Sequence, residues 1–94
     1  MSDVELRTRL ALIWALEKTQ FKLPDPVSDV GSWEWDDEDM SFVASTDAAS
    51  FAFHAEVIVG ASKRRIAVLT WSDSDGQAIW EGYVPDAVWQ GAEQ

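Results

Sequence analysis

Phe51-Ala52-Phe53-His54-Ala55-Glu56-Val57-Ile58-Val59 is the stretch that decides the fold. Phe51, Phe53, Ala55, Val57 and Val59 alternate with Ala52, His54, Glu56 and Ile58, the period of a strand with one face turned to a core. Gly60-Ala61-Ser62-Lys63 then reads as a turn, residues 65–71 as the next strand, Ser72-Asp73-Ser74-Asp75-Gly76 as a second turn and residues 78–84 as a further strand. Upstream, Trp33 and Trp35 alternate with Glu34 and Asp36, and Met40 and Phe42 with Ser41 and Val43. These predict strands over 32–36 and 40–45, joined by a tight acidic turn near Asp37-Glu38, with a small-residue loop from Asp47 to Ser50 before the decisive strand.

Residues 3–21 have a different period. Ser2-x-x-Glu5 is a capping-box pattern placed before an apolar-rich stretch, so a helix is expected to start at Asp3. Helical spacing puts Leu6, Leu10, Ile13, Trp14 and Phe21 on one arc, interrupted by Glu17, while Leu12 and Leu16 fall on the opposite flank. A helix lying on a sheet needs only one apolar stripe. The excess implies burial on a second side, against another copy of the chain. Pro24 and Pro26 end this region, and residues 23–31 form a linker. Pro85-Asp86 opens a short C-terminal helical turn through Trp89.

One helix followed by hairpin-connected strands predicts an α+β fold over a single domain, 1–94, with the N-terminal helix packed on an antiparallel β-meander of about five strands. One pairing of these strands places Phe53, Ala55, Val57, Ile66, Val68 and Trp80 on a common face. The opposite face then carries His54, Glu56, Ile58, Leu69, Trp71, Ile79 and Tyr83, more apolar than a solvated face should be.

The 94 residues are 47% hydrophobic, with six tryptophans, so the chain can build a core and is not a disordered acidic tail. Its net charge is −10, unevenly spread. Residues 23–62 hold nine acids and no Lys or Arg, and Lys63-Arg64-Arg65 make the one basic cluster. Such a field repels phosphate and anionic membrane surfaces and attracts basic proteins, which excludes direct nucleic-acid binding and membrane association. The absence of cysteine excludes disulfides, thiolate metal sites and thiol nucleophiles, and fits a reducing cytoplasm. The longest apolar run, Leu10 to Leu16, is far short of the roughly 20 residues a membrane span needs. The opening Asp3 and Glu5 do not resemble a secretory signal, so a cytoplasmic protein is expected.

Candidate sites are few. Trp33-Glu34-Trp35-Asp36-Asp37-Glu38-Asp39 packs five carboxylates and two indoles into seven positions. Its carboxylates suit Arg and Lys of a basic partner, or a hard cation held in the turn, or simply a solvated hairpin that discourages edge pairing. Alternation sends Trp33 and Trp35 mainly to the core. Asp73-Ser74-Asp75-Gly76 resembles a piece of a calcium loop, but Trp71 and Gly82 stand where the first Asp and the closing Glu belong, so a hairpin turn is the better reading. His54 and Glu56 share a face and make the only proton-transfer pair, without a nucleophile motif or a second histidine. No cofactor motif and no enzymatic constellation emerge, and no enzyme activity is expected.

These readings converge on a small acidic inhibitor that occludes a basic, nucleic-acid-binding surface of a larger protein by nucleic-acid mimicry. Glu34, Asp36, Asp37, Glu38 and Asp39 would meet Arg and Lys, and Trp71 or Tyr83 would anchor the contact. By size and charge alone, phage anti-CRISPR or other anti-defence proteins and immunity proteins against nuclease toxins do comparable work. The alternative is a homodimeric chaperone or assembly protein that uses the apolar sheet face and the doubly apolar helix.

Overall fold

The structure, a computed structural model, describes residues 2–19, 22–25, 27–47 and 50–91. Ser2 begins it as the cap of α1 (Asp3–Lys18), its Oγ accepting from the Glu5 N–H at 3.1 Å. Only half of the capping box forms. The Glu5 carboxylate turns to Arg9 instead, at 3.9 Å. Asp3 and Glu5 in the first turn and Lys18 in the last complement the helix dipole. Ser2→Ala is expected to cost about 1 kcal/mol, read as a melting temperature lower by about 4–8 °C in a thermal scan.

Five strands follow: β1 (Glu34–Asp36), β2 (Ser41–Thr46), β3 (Phe51–Val59), β4 (Arg65–Asp73) and β5 (Gly76–Tyr83), with α2 (Asp86–Gln90) at the end. They form one antiparallel sheet in the order β1-β2-β3-β4-β5, the expected meander. The α+β class, the strand number and the short C-terminal helix are as the sequence predicts. Strand boundaries move by one to two residues, α1 ends at Lys18 rather than at the expected 21, and the linker contains a 3-10 turn, Val30–Ser32, capped by the Asp29 carboxylate. Phe21 itself, the role of Pro26 and the middle of the 47–50 loop lie outside the described residues.

α1 covers one face of the sheet. Its buried side chains are Thr8, Ala11, Leu12 and Ala15, whereas Leu6 and Ile13 of the expected arc are exposed. The large residues misled the helical count. The helix approaches through Ala11, Leu12 and Ala15, beside aromatic rings that fill much of the space above the sheet: Trp33 against Phe53 at 4.8 Å, Trp35 against Phe42 at 4.9 Å, and Trp14 edge-on to Trp80 at 6.5 Å. Trp80 in turn lies across Gly82, where a Cβ would meet its ring at 2.5 Å. Glycine is therefore required there for the indole to reach Trp14.

The expected register of β4 is corrected. Val59 pairs with Arg65, which sets Ala55 opposite Leu69 and Phe53 opposite Trp71. Leu69 and Trp71 thus face α1, while Ile66 and Val68 face away. Ile66-Ala67-Val68-Leu69 is apolar at every position, so alternation could not choose between the two phases, and one residue of turn length flips a whole strand. The turn that decides it is closed by Gly60 N–H to the Arg64 carbonyl at 3.0 Å, with Lys63 in the left-handed region at φ 64°.

Basic side chains are spent on holding these layers together. Arg9 donates to the Val30 carbonyl at 2.6 Å and lies 4.6 Å over the Phe42 ring. Arg7 donates to the Trp89 carbonyl at 2.9 Å and pairs with Asp3, and Arg65 stacks over Trp89, so α2 docks on the helix side.

Candidate acidic sheet face

No described element covers the second face of the sheet. Its residues are those of odd phase to the core: Glu34 and Asp36 from β1, then Ser41, Val43 and Ser45, and so on to Gln77, Ile79, Glu81 and Tyr83 on β5. None of the positions on this face, from β1 to β5, is a Lys or Arg. Asp36, Ser41, Glu56, Val68 and Glu81 run in register across all five strands. Two strand spacings separate each carboxylate from the next in this row, about 10 Å. Glu34 stands two residues from Asp36 on the same strand, about 7 Å away. The Ser41 hydroxyl, between Asp36 and Glu56 in the row, is fully buried and has no hydrogen-bond partner.

The 36–39 turn adjoins this row. The Asp36 carboxylate accepts from the Glu38 and Asp39 N–H groups at 3.0 and 3.3 Å, and Asp37 accepts from Trp35 Nε1 at 3.0 Å. Two of its four carboxylates therefore shape the turn, and Glu38 and Asp39 project into solvent. Met40 closes it in the left-handed region, φ 53°, with its side chain exposed. Trp33 is buried, donating from Nε1 to the Val27 carbonyl at 2.8 Å, and Trp35 is half-buried on Phe42. The indoles of this segment belong to the core side, as alternation predicts.

A cavity of ≈ 510 Å³ borders this face, its wall completed by Ala44, Phe53 and Trp71 of the helix side and by Val27 and Ser32 of the linker. Glu34, Val43, His54 and Thr70, one row of the sheet, and Ser45, Ala52, Ser72 and Gln77, the next, line most of it. His54 Nδ1 lies 3.8 Å from Glu56 Oε2. Among the described residues, no group of three or more His, Asp or Glu side chains converges as a metal would require. In the Asp73–Gly76 hairpin the Asp75 N–H is held by the Asp73 carboxylate at 2.8 Å, and Gly76 takes φ 144°, a turn rather than a calcium loop.

Of the two anchors expected on this face, Tyr83 is there and half-exposed, with the Arg64 guanidinium 3.8 Å above its ring. Trp71 is not; it points to the helix side, half-buried beside the core. Ile58 and Ile79 are exposed on the open face. Glu56 and Glu81 were missed as members of the carboxylate array. Alternation marks each as outward, but only the pairing register puts them in line with Asp36.

No protein family matches the chain, and no curated protein or solved structure gives a significant match. No helix of the described residues is long and apolar enough to cross a membrane.

Proposed function

We propose that this protein is a small acidic binding protein that occludes a basic, nucleic-acid-binding surface on a larger protein. The observation that carries the reading is the uncovered sheet face. Glu34, Asp36, Glu56 and Glu81 project from it with no Lys or Arg among them, beside the free carboxylates of Glu38 and Asp39. Among the described residues only Asp3 and Glu5 pair with an arginine. The acidity is therefore available to a partner instead of being neutralised within the fold. Carboxylates at spacings of about 7–10 Å present regularly spaced negative charge to Arg and Lys that normally contact a nucleic-acid backbone. Rim charges raise the association rate and set the class of partner, while Tyr83, Ile58 and Ile79 supply apolar contact.

The test uses the immobilised chain and nuclease-treated lysate at about 0.05 M and about 0.5 M salt. Basic nucleic-acid-binding proteins are expected at low salt only, and added duplex DNA should compete for them. Replacing Asp36, Asp37, Glu38 and Asp39 together by Lys should weaken retention at least about tenfold. Retention that ignores salt, DNA and this reversal sinks the proposal.

A second reading, a homodimeric chaperone or assembly protein, is favoured by the exposed Leu6 and Ile13 on the outer side of α1. Sedimentation at rising concentration separates the two, since that reading requires a dimer lost on Ile13→Asp and unaffected by the charge reversal.

A further inference from the structure

The two edges of the sheet are unlike. β1 is three residues long and is followed at once by the acidic turn. β5 is eight residues long and belongs to the opposite edge. Natural edges are blunted by Lys, Pro, a bulge or a covering element, because unpaired backbone groups recruit other strands. β5 contains no Lys and no Pro, it pairs residue for residue with β4 from Asp73↔Gly76 to Ile66↔Tyr83, and no described element lies along its outer side.

The phase of the ladder says which groups are open. Val84 N–H donates to the Arg65 carbonyl at 2.9 Å, so Ala78, Trp80 and Gly82 bond inward to β4. The N–H and C=O groups of Gln77, Ile79, Glu81 and Tyr83 consequently point outward. We infer that β5 accepts an extended basic segment of a partner protein as a sixth strand, extending the acidic face by one more row. This rests on the proposed function and names the mode of contact.

Charge chooses the occupant. Glu81 is the only ionised side chain within β5, and Asp73 and Asp75 flank its start. A second copy would bring another chain of net charge −10. A segment alternating Lys or Arg with β-branched residues instead places cations on the carboxylate face, beside Glu81, and its apolar side chains on the Trp80 side.

The test probe is an end-blocked peptide of about seven residues alternating Lys and Val, with a Lys-Pro peptide of equal charge as control. On binding Lys-Val, the amides of Ile79, Glu81 and Tyr83 should gain hydrogen-exchange protection, while those of Ala78, Trp80 and Gly82, already bonded, change little. Lys-Pro should bind at least about tenfold more weakly. Ile79→Pro removes an outward N–H without touching a β4 bond, so it should fold and lose the peptide by a similar factor, whereas Ile79→Ala should retain most of the binding. Equal binding of both peptides, or protection absent from the odd positions, overturns the strand-addition mode. If that occurs while charge reversal at Asp36–Asp39 still releases basic proteins, the inference fails and the proposed function stands. A concentration-dependent dimer dissolved by Ile79→Pro would overturn the choice of occupant.

Discussion

Phe42→Ala is expected to remove about 3–5 kcal/mol of stability, out of a total that for a domain of this class is about 5–15 kcal/mol. Phe42 is fully buried in β2 and touches three other segments of the chain. Its ring meets Trp33 at 6.0 Å and Trp35 at 4.9 Å, and Arg9 of α1 lies across it at 4.6 Å. Truncation leaves a cavity that the sheet cannot close, because the neighbouring indoles are fixed by their own bonds, Trp33 to the Val27 carbonyl and Trp35 to Asp37. It also leaves the Arg9 guanidinium, whose Nε already lacks a hydrogen-bond partner, without the ring beneath it. Urea unfolding followed by tryptophan fluorescence measures the loss as a lower midpoint at unchanged slope. A change within about 0.5 kcal/mol, the range of surface substitutions, would show that the aromatic cluster does not hold the layers together.

The second large effect separates the two faces of the sheet within one strand. Leu69→Ala should cost about 2–5 kcal/mol, and its neighbour Val68→Ala about 1 kcal/mol or less. Leu69 is fully buried opposite Ala55 and Trp80, under α1. Val68 stands on the uncovered face between Glu56 and Glu81. The chemistry removed is similar in the two variants, so the difference reports the layer each side chain meets. Equal losses in urea midpoint would contradict this orientation of β4 and, with it, the placement of Glu56 and Glu81 on an open face.

That orientation marks where sequence reading stops. In β3 the polar residues His54 and Glu56 interrupt the apolar ones, so the buried phase is visible in the letters alone. In β4 four apolar residues in succession erase the signal, and the phase is set by the turn from Gly60 to Arg64, closed by backbone bonds that carry no side-chain signature. The same limit explains Trp71, whose size invites an anchor role and whose pairing with Phe53 sends it to the helix side. In α1 the large residues Leu6 and Ile13 drew the apolar arc, yet Ala11, Leu12 and Ala15 are the apolar side chains that are fully buried, so the helix is turned about its axis away from that arc.

The candidate face was legible in part. The acidic turn at 36–39 and the exposure of Tyr83 follow from local composition and alternation. The alignment of Asp36 with Glu56 and Glu81 does not, because these residues are separated by whole strands in the chain and meet only through hydrogen-bond register.

What the amino-acid sequence determined by itself is whatever depends on near neighbours. That covers the capped helix, the hairpin-connected meander, the acidic segment at 33–39 with its indoles turned inward, and the sign of the chain's net charge. The tertiary structure alone decided which side of the sheet α1 covers, which carboxylates line up on the other, and that β5 rather than β1 ends the sheet with a long unprotected edge. Local periodicity specifies which residues share a face of one element. Only the packing of elements, through turn length and the room left by the largest side chains, specifies which face is buried.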